Sequence, residues 1–242
     1  MRLSIAMMVK NESKHLKKCL DSLKPIINSV ESELIIVDTG SEDNTVEIAK
    51  QFTDKVYFHE WINDFAYMRN ITISYCTGDW LLILDADEVL ENPETLINFI
   101  NSKQSDSYNT VNLKIKSYTT NDEDESSCAV LSLTRLFKNS EDFMYTGAIH
   151  EQPKIKLPIY DLDVTLLHYG YISTDKELME RKFERNTEIL KKEIEKDPEN
   201  HYYWHQLSVS YGMHKDYKEA LKYALKTYEI AQKKKLDISR CM

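Results

Sequence analysis

Asp85, Asp87 and Glu88 stand directly after the aliphatic run Leu81-Leu82-Ile83-Leu84. Only Ala86 separates the first two, so both carboxylates can reach one hard divalent cation or the water around it. Like charges that close repel unless a cation or protons intervene, so the pair implies a counterion. The same residues would also serve as a polar strand end running into a solvated turn and a helix cap, and spacing alone leaves both readings open. Asp38 closes another aliphatic run, Leu34 to Val37. Farther on, His150 adjoins Glu151, and His168 precedes Tyr169-Gly170-Tyr171. Such residues can move protons or ligate metals, but a loop pair and a structural strand histidine account for them equally.

Positioning these groups needs buried strands that end together. Leu81 to Leu84 reads as a strand covered on both faces, and in open α/β sheets the carboxyl ends of such strands border the ligand crevice. Leu3 to Val9 is a first strand, after which Lys10-Asn11-Glu12-Ser13 opens a helix with Leu16, Cys19, Leu20 and Leu23 at helical spacing, closed by Pro25. Glu33 to Val37 is a second strand. The turn Thr39 to Thr45 then leads into a helix carrying Val46, Ile48, Ala49 and Phe52. Lys55 to His59 is a third strand, and Asp64 is the expected N-cap of a helix with Phe65, Met68, Ile71, Thr72 and Tyr75 on one side. This alternation predicts a mostly parallel sheet with its polar residues along the carboxyl edge. Past Pro93 and its helix, Tyr108 to Tyr118 and Ala129 to Phe137 alternate as antiparallel strands. The acidic run Asn121 to Glu125 reads as a solvated hairpin loop between them, and Phe143 to Gln152 and Leu162 to Tyr171 as shorter extended segments.

With 242 residues the chain can bury a full core, and its net charge of -9 argues against nucleic acid or an anionic membrane as the main partner. No apolar run approaches the roughly 20 residues of a membrane span, and neither that nor the first residues suggest a signal peptide, so a cytoplasmic protein without integral membrane association is expected. Four cysteines without CxxC spacing predict reduced thiols. From Asp175 the sequence is helical and charged. The stretch Asn200 to Ile230 has Trp204, Leu207, Ser208, Tyr211 and Ala220 at the spacings of one tetratricopeptide repeat, and departs from the pattern at Ala224. One such helix pair cannot bury its apolar face alone, so it either docks on the α/β domain or is the first of several repeats, and an ending at Cys241-Met242 without a polar cap favours the second.

Four ordered motifs carry a resemblance: Val9-Lys10-Asn11-Glu12, Leu34 through Asp38 to Thr45, Asp64-Phe65-Ala66-Tyr67-Met68-Arg69-Asn70, and Gly78-Asp79-Trp80 through Asp87-Glu88. Together they resemble the family 2 inverting glycosyltransferases of the GT-A fold, in the branch with C-terminal tetratricopeptide repeats. The resemblance is strong over about the first 90 residues and thinner beyond residue 100. It implies an α/β, Rossmann-like, mostly parallel sheet with helices on both faces. Residues 1–172 would be the transferase domain and 173–242 the helical repeat-like segment.

The resemblance also implies roles. Asp38 would accept a hydrogen bond from the uracil or ribose of a nucleotide-sugar donor, with Val9 and Asn11 along the base and Glu12 behind them. Arg69 would lie near the nucleotide. In the Asp-x-Asp motif, Asp85 would contact the ribose, Ala86 would line the donor, and Asp87 would hold a manganese or magnesium ion on the diphosphate, with His168 completing the metal shell. Glu151 is the first choice for the base that takes the acceptor's proton, after the turn Thr146-Gly147-Ala148, and His150 the second. The expected donor is a UDP-sugar and the expected acceptor a protein or peptide, such as a flagellin or a secreted peptide. The repeat segment would bind the acceptor or mediate oligomerisation. The competing readings are transfer to a lipid-linked or polysaccharide acceptor, and a non-catalytic nucleotide-sensing scaffold.

Overall fold

The structure is a computed structural model and describes residues 2–118, 128–170 and 176–234. The acidic run at 121–125, Tyr171 and Cys241 lie outside the described residues. Cys19, Cys76 and Cys128 are free thiols. The chain divides into two compact units, residues 1–147 with 151–174, and residues 148–150 with 175–242.

The first unit begins as a repeated strand and helix: β1 (Leu3–Val9), α1 (Leu16–Ser29), β2 (Ser32–Asp38), α2 (Thr45–Ala49), β3 (Val56–Phe58), α3 (Phe65–Ser74) and β4 (Trp80–Leu84). β5 (Glu88–Glu91), α4 (Pro93–Asn101), β6 (Thr110–Tyr118), β7 (Cys128–Lys138), β8 (Tyr145–Thr146), β9 (Gln152–Pro153) and β10 (Ile159–His168) follow. The main sheet has the order β3-β2-β1-β4-β7-β6-β10-β5. β1 to β4 are mutually parallel, whereas β7 runs antiparallel to β4 and β6. Because β2 and β4 flank β1 on opposite sides, the connections reverse direction at β1. That reversal opens a crevice at the carboxyl ends of the strands.

Alternation along β1 builds both faces. Leu3, Ile5, Met7 and Val9 pack with Leu16, Cys19, Leu20, Leu23 and Ile26 of α1, while Ala6 packs with Leu81, Ile83, Ala66 and Phe137 on the α3 side. Pro25 does not close the first helix as its sequence suggests; it sits exposed inside α1, which continues to Ser29. A helix-interior proline costs about 3 kcal/mol, but the buried Leu23 and Ile26 on either side each return roughly 1.5–3 kcal/mol. The helix also starts later than Lys10, at Leu16, because residues 11–15 form a turn whose amides bind the next loop. Asp64 caps α3 as expected, accepting from the Tyr67 amide at 2.8 Å.

At the amino ends of the strands the buried Glu33 ties three of them together. Its carboxylate accepts from Ser4 Oγ at 2.6 Å, the Thr77 amide at 2.6 Å, Thr77 Oγ1 at 2.8 Å and Lys55 Nζ at 2.5 Å. Burial alone would raise its pKa, but these donors overcome that and hold it down to about 2. Glu33→Gln should therefore lower unfolding stability by about 1–3 kcal/mol near neutral pH, read by urea denaturation. A carboxyl depressed in the folded state contributes above its unfolded pKa, about 4.5, and loses that contribution as pH falls toward 2. The gap between wild type and variant should close over that window.

The second unit holds α5 (Lys176–Lys196), α6 (His201–Met213) and α7 (Tyr217–Lys233). Ser208 Oγ donates to the Ala220 carbonyl at 2.8 Å where α6 and α7 meet, and Tyr223 lies against the rings of Trp204 and Tyr211. On α7, Tyr217, Leu221 and Leu225 remain exposed at helical spacing. No described helix is long and apolar enough to cross a membrane.

Candidate active site

The loops after β1 and β2 are laced together at the sheet's carboxyl edge. Asn11 has a left-handed backbone (φ 56°); its amide donates to Ser41 Oγ at 2.9 Å and its Oδ1 accepts from the Glu42 amide at 2.8 Å. The Glu12 amide donates to Thr45 Oγ1 at 2.7 Å. The Val9 carbonyl accepts from both the Thr39 amide and the Thr39 hydroxyl. Asp38 is buried and accepts from the Gly40 and Ser41 amides, where Gly40 has a φ of 104° that favours glycine.

Asp85, at the tip of β4, is held from two sides. Arg69 Nη2 donates to Oδ1 at 2.8 Å and Arg135 Nη2 to Oδ2 at 3.1 Å. Burial pushes the Asp85 carboxyl upward, yet the two guanidinium groups prevail and keep it well below the usual range. Arg69 lies on the buried face of α3 and also donates from Nε to Glu151 at 2.6 Å, so one side chain spans the strand tip and Glu151. Asn70 pins the approach to Glu151 by exchanging two hydrogen bonds, 2.8 and 2.9 Å, with the backbone of Tyr145. Glu151 faces this cluster; His150 is exposed, with a φ of 52°. Ala86 is buried with the α1 side of the core.

Glu88 is wholly buried, pairs with Arg135, and accepts from the Asp85 amide at 3.0 Å. Burial pushes its carboxyl up to about 7 against the pull of Arg135. Neither Glu88 nor Arg135 has an assigned role in the sequence reading. Glu88 looked like the start of a turn, whereas it begins β5, which pairs with β10 so that Glu88 lies opposite His168.

That pairing brings Asp87 and His168 together: Asp87 Oδ2 and His168 Nε2 are 3.6 Å apart, too far for a hydrogen bond and near enough to share an ion. Ser117 Oγ lies 3.0 Å from His168 Nδ1 and fixes the ring, and the Tyr169 amide donates to the Asp87 carbonyl at 3.0 Å. Burial would lower the His168 pKa, but the Asp87 carboxylate, with Glu88 and Asp85 behind it, raises it above the ordinary value. Gly170 leaves the space between the two donors open; a Cβ there would stand 2.1 Å from Asp87 Oδ2 and 2.7 Å from His168 Nε2.

These features fit a divalent cation. Three carboxylates, Asp85, Glu88 and Glu151, share the two guanidinium groups, and Asp87 stands outside that network beside His168. Asp87 and His168 offer one carboxylate and one imidazole, a set that needs further oxygen ligands from a substrate or water. Among the described residues no group of three or more acidic, histidine or cysteine side chains gathers as a complete metal cage. Gly170→Ala should lower stability by about 1–3 kcal/mol, since the Asp87 carboxylate and the His168 ring held by Ser117 must both shift. It should also close the space between the two side chains to a cation, which calorimetry with manganese alone checks.

A sheet that turns at β1, with carboxylates on the tips of β2 and β4 on either side of it, defines a GT-A type α/β domain, and solved structures share it. The crystal structure of S. aureus TarS 1-349 superposes with a TM-score of 0.51 at 16% identity, covering 86% of this chain and 70% of that one. Residues 4–155 match the sequence model of Glycosyl transferase family 2, and the chain belongs to that family. It is 28% identical over 204 residues to the SPbeta prophage-derived glycosyltransferase SunS of Bacillus subtilis, covering 82% of this chain and 46% of that protein. A TPR repeat-containing protein of Synechococcus elongatus is 30% identical over 185 residues, covering 70% and 42%. The chain thus spans about half the length of the curated relatives it matches.

Proposed function

We propose that the chain is the transferase part of a metal-dependent, inverting glycosyltransferase that moves a sugar from a UDP-sugar to a protein or peptide. Residues 1–172 are its catalytic domain and 173–242 a helical tetratricopeptide-like segment that contacts the acceptor or a second subunit, in the cytoplasm. The observation carrying this reading is the convergence of Asp85, Asp87, Arg69, Glu151 and His168 on one edge of a family 2 sheet. The repeat-named relative and the α6–α7 hairpin support the protein acceptor.

Asp38 and Asp85 orient the nucleoside by accepting hydrogen bonds from its base and ribose. Asp87 and His168 would hold the divalent cation, whose chemistry when bound is to neutralise charge on the departing diphosphate. Arg69 keeps Asp85 and Glu151 in fixed relation, so the donor side and the proton acceptor are set by one side chain. In the transfer, the bond from the anomeric carbon to the diphosphate oxygen breaks, and its electron pair leaves with the nucleotide. A bond from the acceptor's nucleophilic atom forms on the opposite face, and that atom's proton passes to Glu151.

Titrating the chain with UDP, with and without manganese, tests the donor reading: binding is expected only with the metal present. Absence of UDP binding under both conditions would remove it. Screening nucleotide sugars for metal-dependent hydrolysis then names the donor.

A further inference from the structure

The antiparallel ladder of β6 and β7 contains one irregularity. Val111 pairs with Leu136 and Asn112 with Thr134, so Arg135 is an extra residue without a partner across the strands. Such a bulge turns a side chain out of the strand's alternation, and bulges gather beside active sites. This one is fastened by Thr134 Oγ1 donating to Asn112 Oδ1 at 2.7 Å, while Asn112 Nδ2 donates to Asp161 on β10 at 2.8 Å. Its result is that Arg135, with a side chain only 14% exposed, leaves the ladder and meets Asp85 and Glu88.

Arg135 holds Asp85 by two routes. Nη2 donates directly to Oδ2, and the same nitrogen binds Glu88, whose other oxygen takes the Asp85 amide. Side chain and backbone of Asp85 are therefore both referred to one guanidinium, while Arg69 takes the remaining oxygen. Of the carboxylates in the cluster, Asp85 keeps the most exposed side chain, 33% against 13% for Asp87 and Glu151 and 1% for Glu88. It is the one whose spare lone pairs can meet a ligand's hydroxyls. Asp87 has its own partners, His168 and the Tyr169 amide, and Arg135 is not among those contacts.

We infer that Arg135, aimed by the β7 bulge, is a positioning residue that fixes Asp85 for the nucleoside half of the donor and does not serve the diphosphate half. The inference rests on the nucleotide-sugar reading given above. Its loss should weaken ligands that carry a ribose and spare those that carry only a diphosphate.

The experiment compares wild type, Arg135→Lys and Arg135→Met, titrated with UDP and with inorganic pyrophosphate, each with manganese, and with urea stability measured alongside. Arg135→Met should bind UDP about tenfold more weakly, with pyrophosphate affinity within about twofold of wild type. Arg135→Lys, which keeps the charge but lacks the fork, should fall between them and remains informative if Arg135→Met does not fold. Equal weakening of both ligands, or unchanged UDP affinity in a folded variant, would overturn the inference while leaving the donor reading intact. Failure of wild type itself to bind UDP would overturn both.

Discussion

Glu151→Gln is expected to lower turnover by about 10²–10⁴-fold while changing UDP affinity by no more than about threefold. The asymmetry follows from the contacts. Glu151 receives Arg69 Nε at 2.6 Å, and a glutamine oxygen can receive it too, so Arg69 keeps its hold on Asp85 Oδ1 at 2.8 Å. What the substitution removes is the negative charge and the capacity to take a proton, which matter only as the acceptor attacks. Steady-state kinetics with an identified donor and acceptor, set beside calorimetric UDP binding, separates the two. Parallel losses in turnover and affinity would make Glu151 a support for Arg69 and no base. Unchanged turnover would pass the role to another group, with exposed His150 the next to substitute.

How far such a site can be read in advance depends on whether its parts are local in sequence. The strand tips were legible: aliphatic runs ending on Asp38 and Asp85 predict buried parallel strands with carboxylates at the crevice, and β2 and β4 end there. Asp64 announced α3, and the helix then buries Arg69, because its register places Ala66, Arg69 and Thr72 inward. Asp85 and Asp87, two residues apart, face different partners. Asp85 is neutralised by two arginines distant in sequence, and Asp87 turns instead to His168. Arg135 gave no sign, since a bulge has no signature in an alternating strand, and its neighbours Leu136 and Phe137 look like ordinary core residues. Glu88 was hidden for a related reason. Four residues of β5 become a strand only by pairing with β10, far along the chain, and local propensity holds no trace of that.

Asp87→Ala should weaken manganese-dependent UDP binding by at least about 100-fold and abolish donor hydrolysis, without measurable loss of fold. The fold should survive because the contact that ties residue 87 to the end of β10 is made by its carbonyl, to the Tyr169 amide at 3.0 Å, which alanine retains. The side chain contributes only its approach to His168, at 3.6 Å. His168→Ala removes the other donor and should weaken binding less, since a neutral imidazole contributes no charge against the cation. If both side chains feed one ion, the double variant should bind scarcely worse than Asp87→Ala alone, because the second loss finds no ion left to release. Fully additive losses would mean that the two act on different parts of the ligand, and the space that Gly170 keeps open would then need another occupant. Retained manganese dependence in the double variant would place the cation elsewhere on the sheet edge, where Asp85 is already committed to its arginines and Glu88 is buried against one of them.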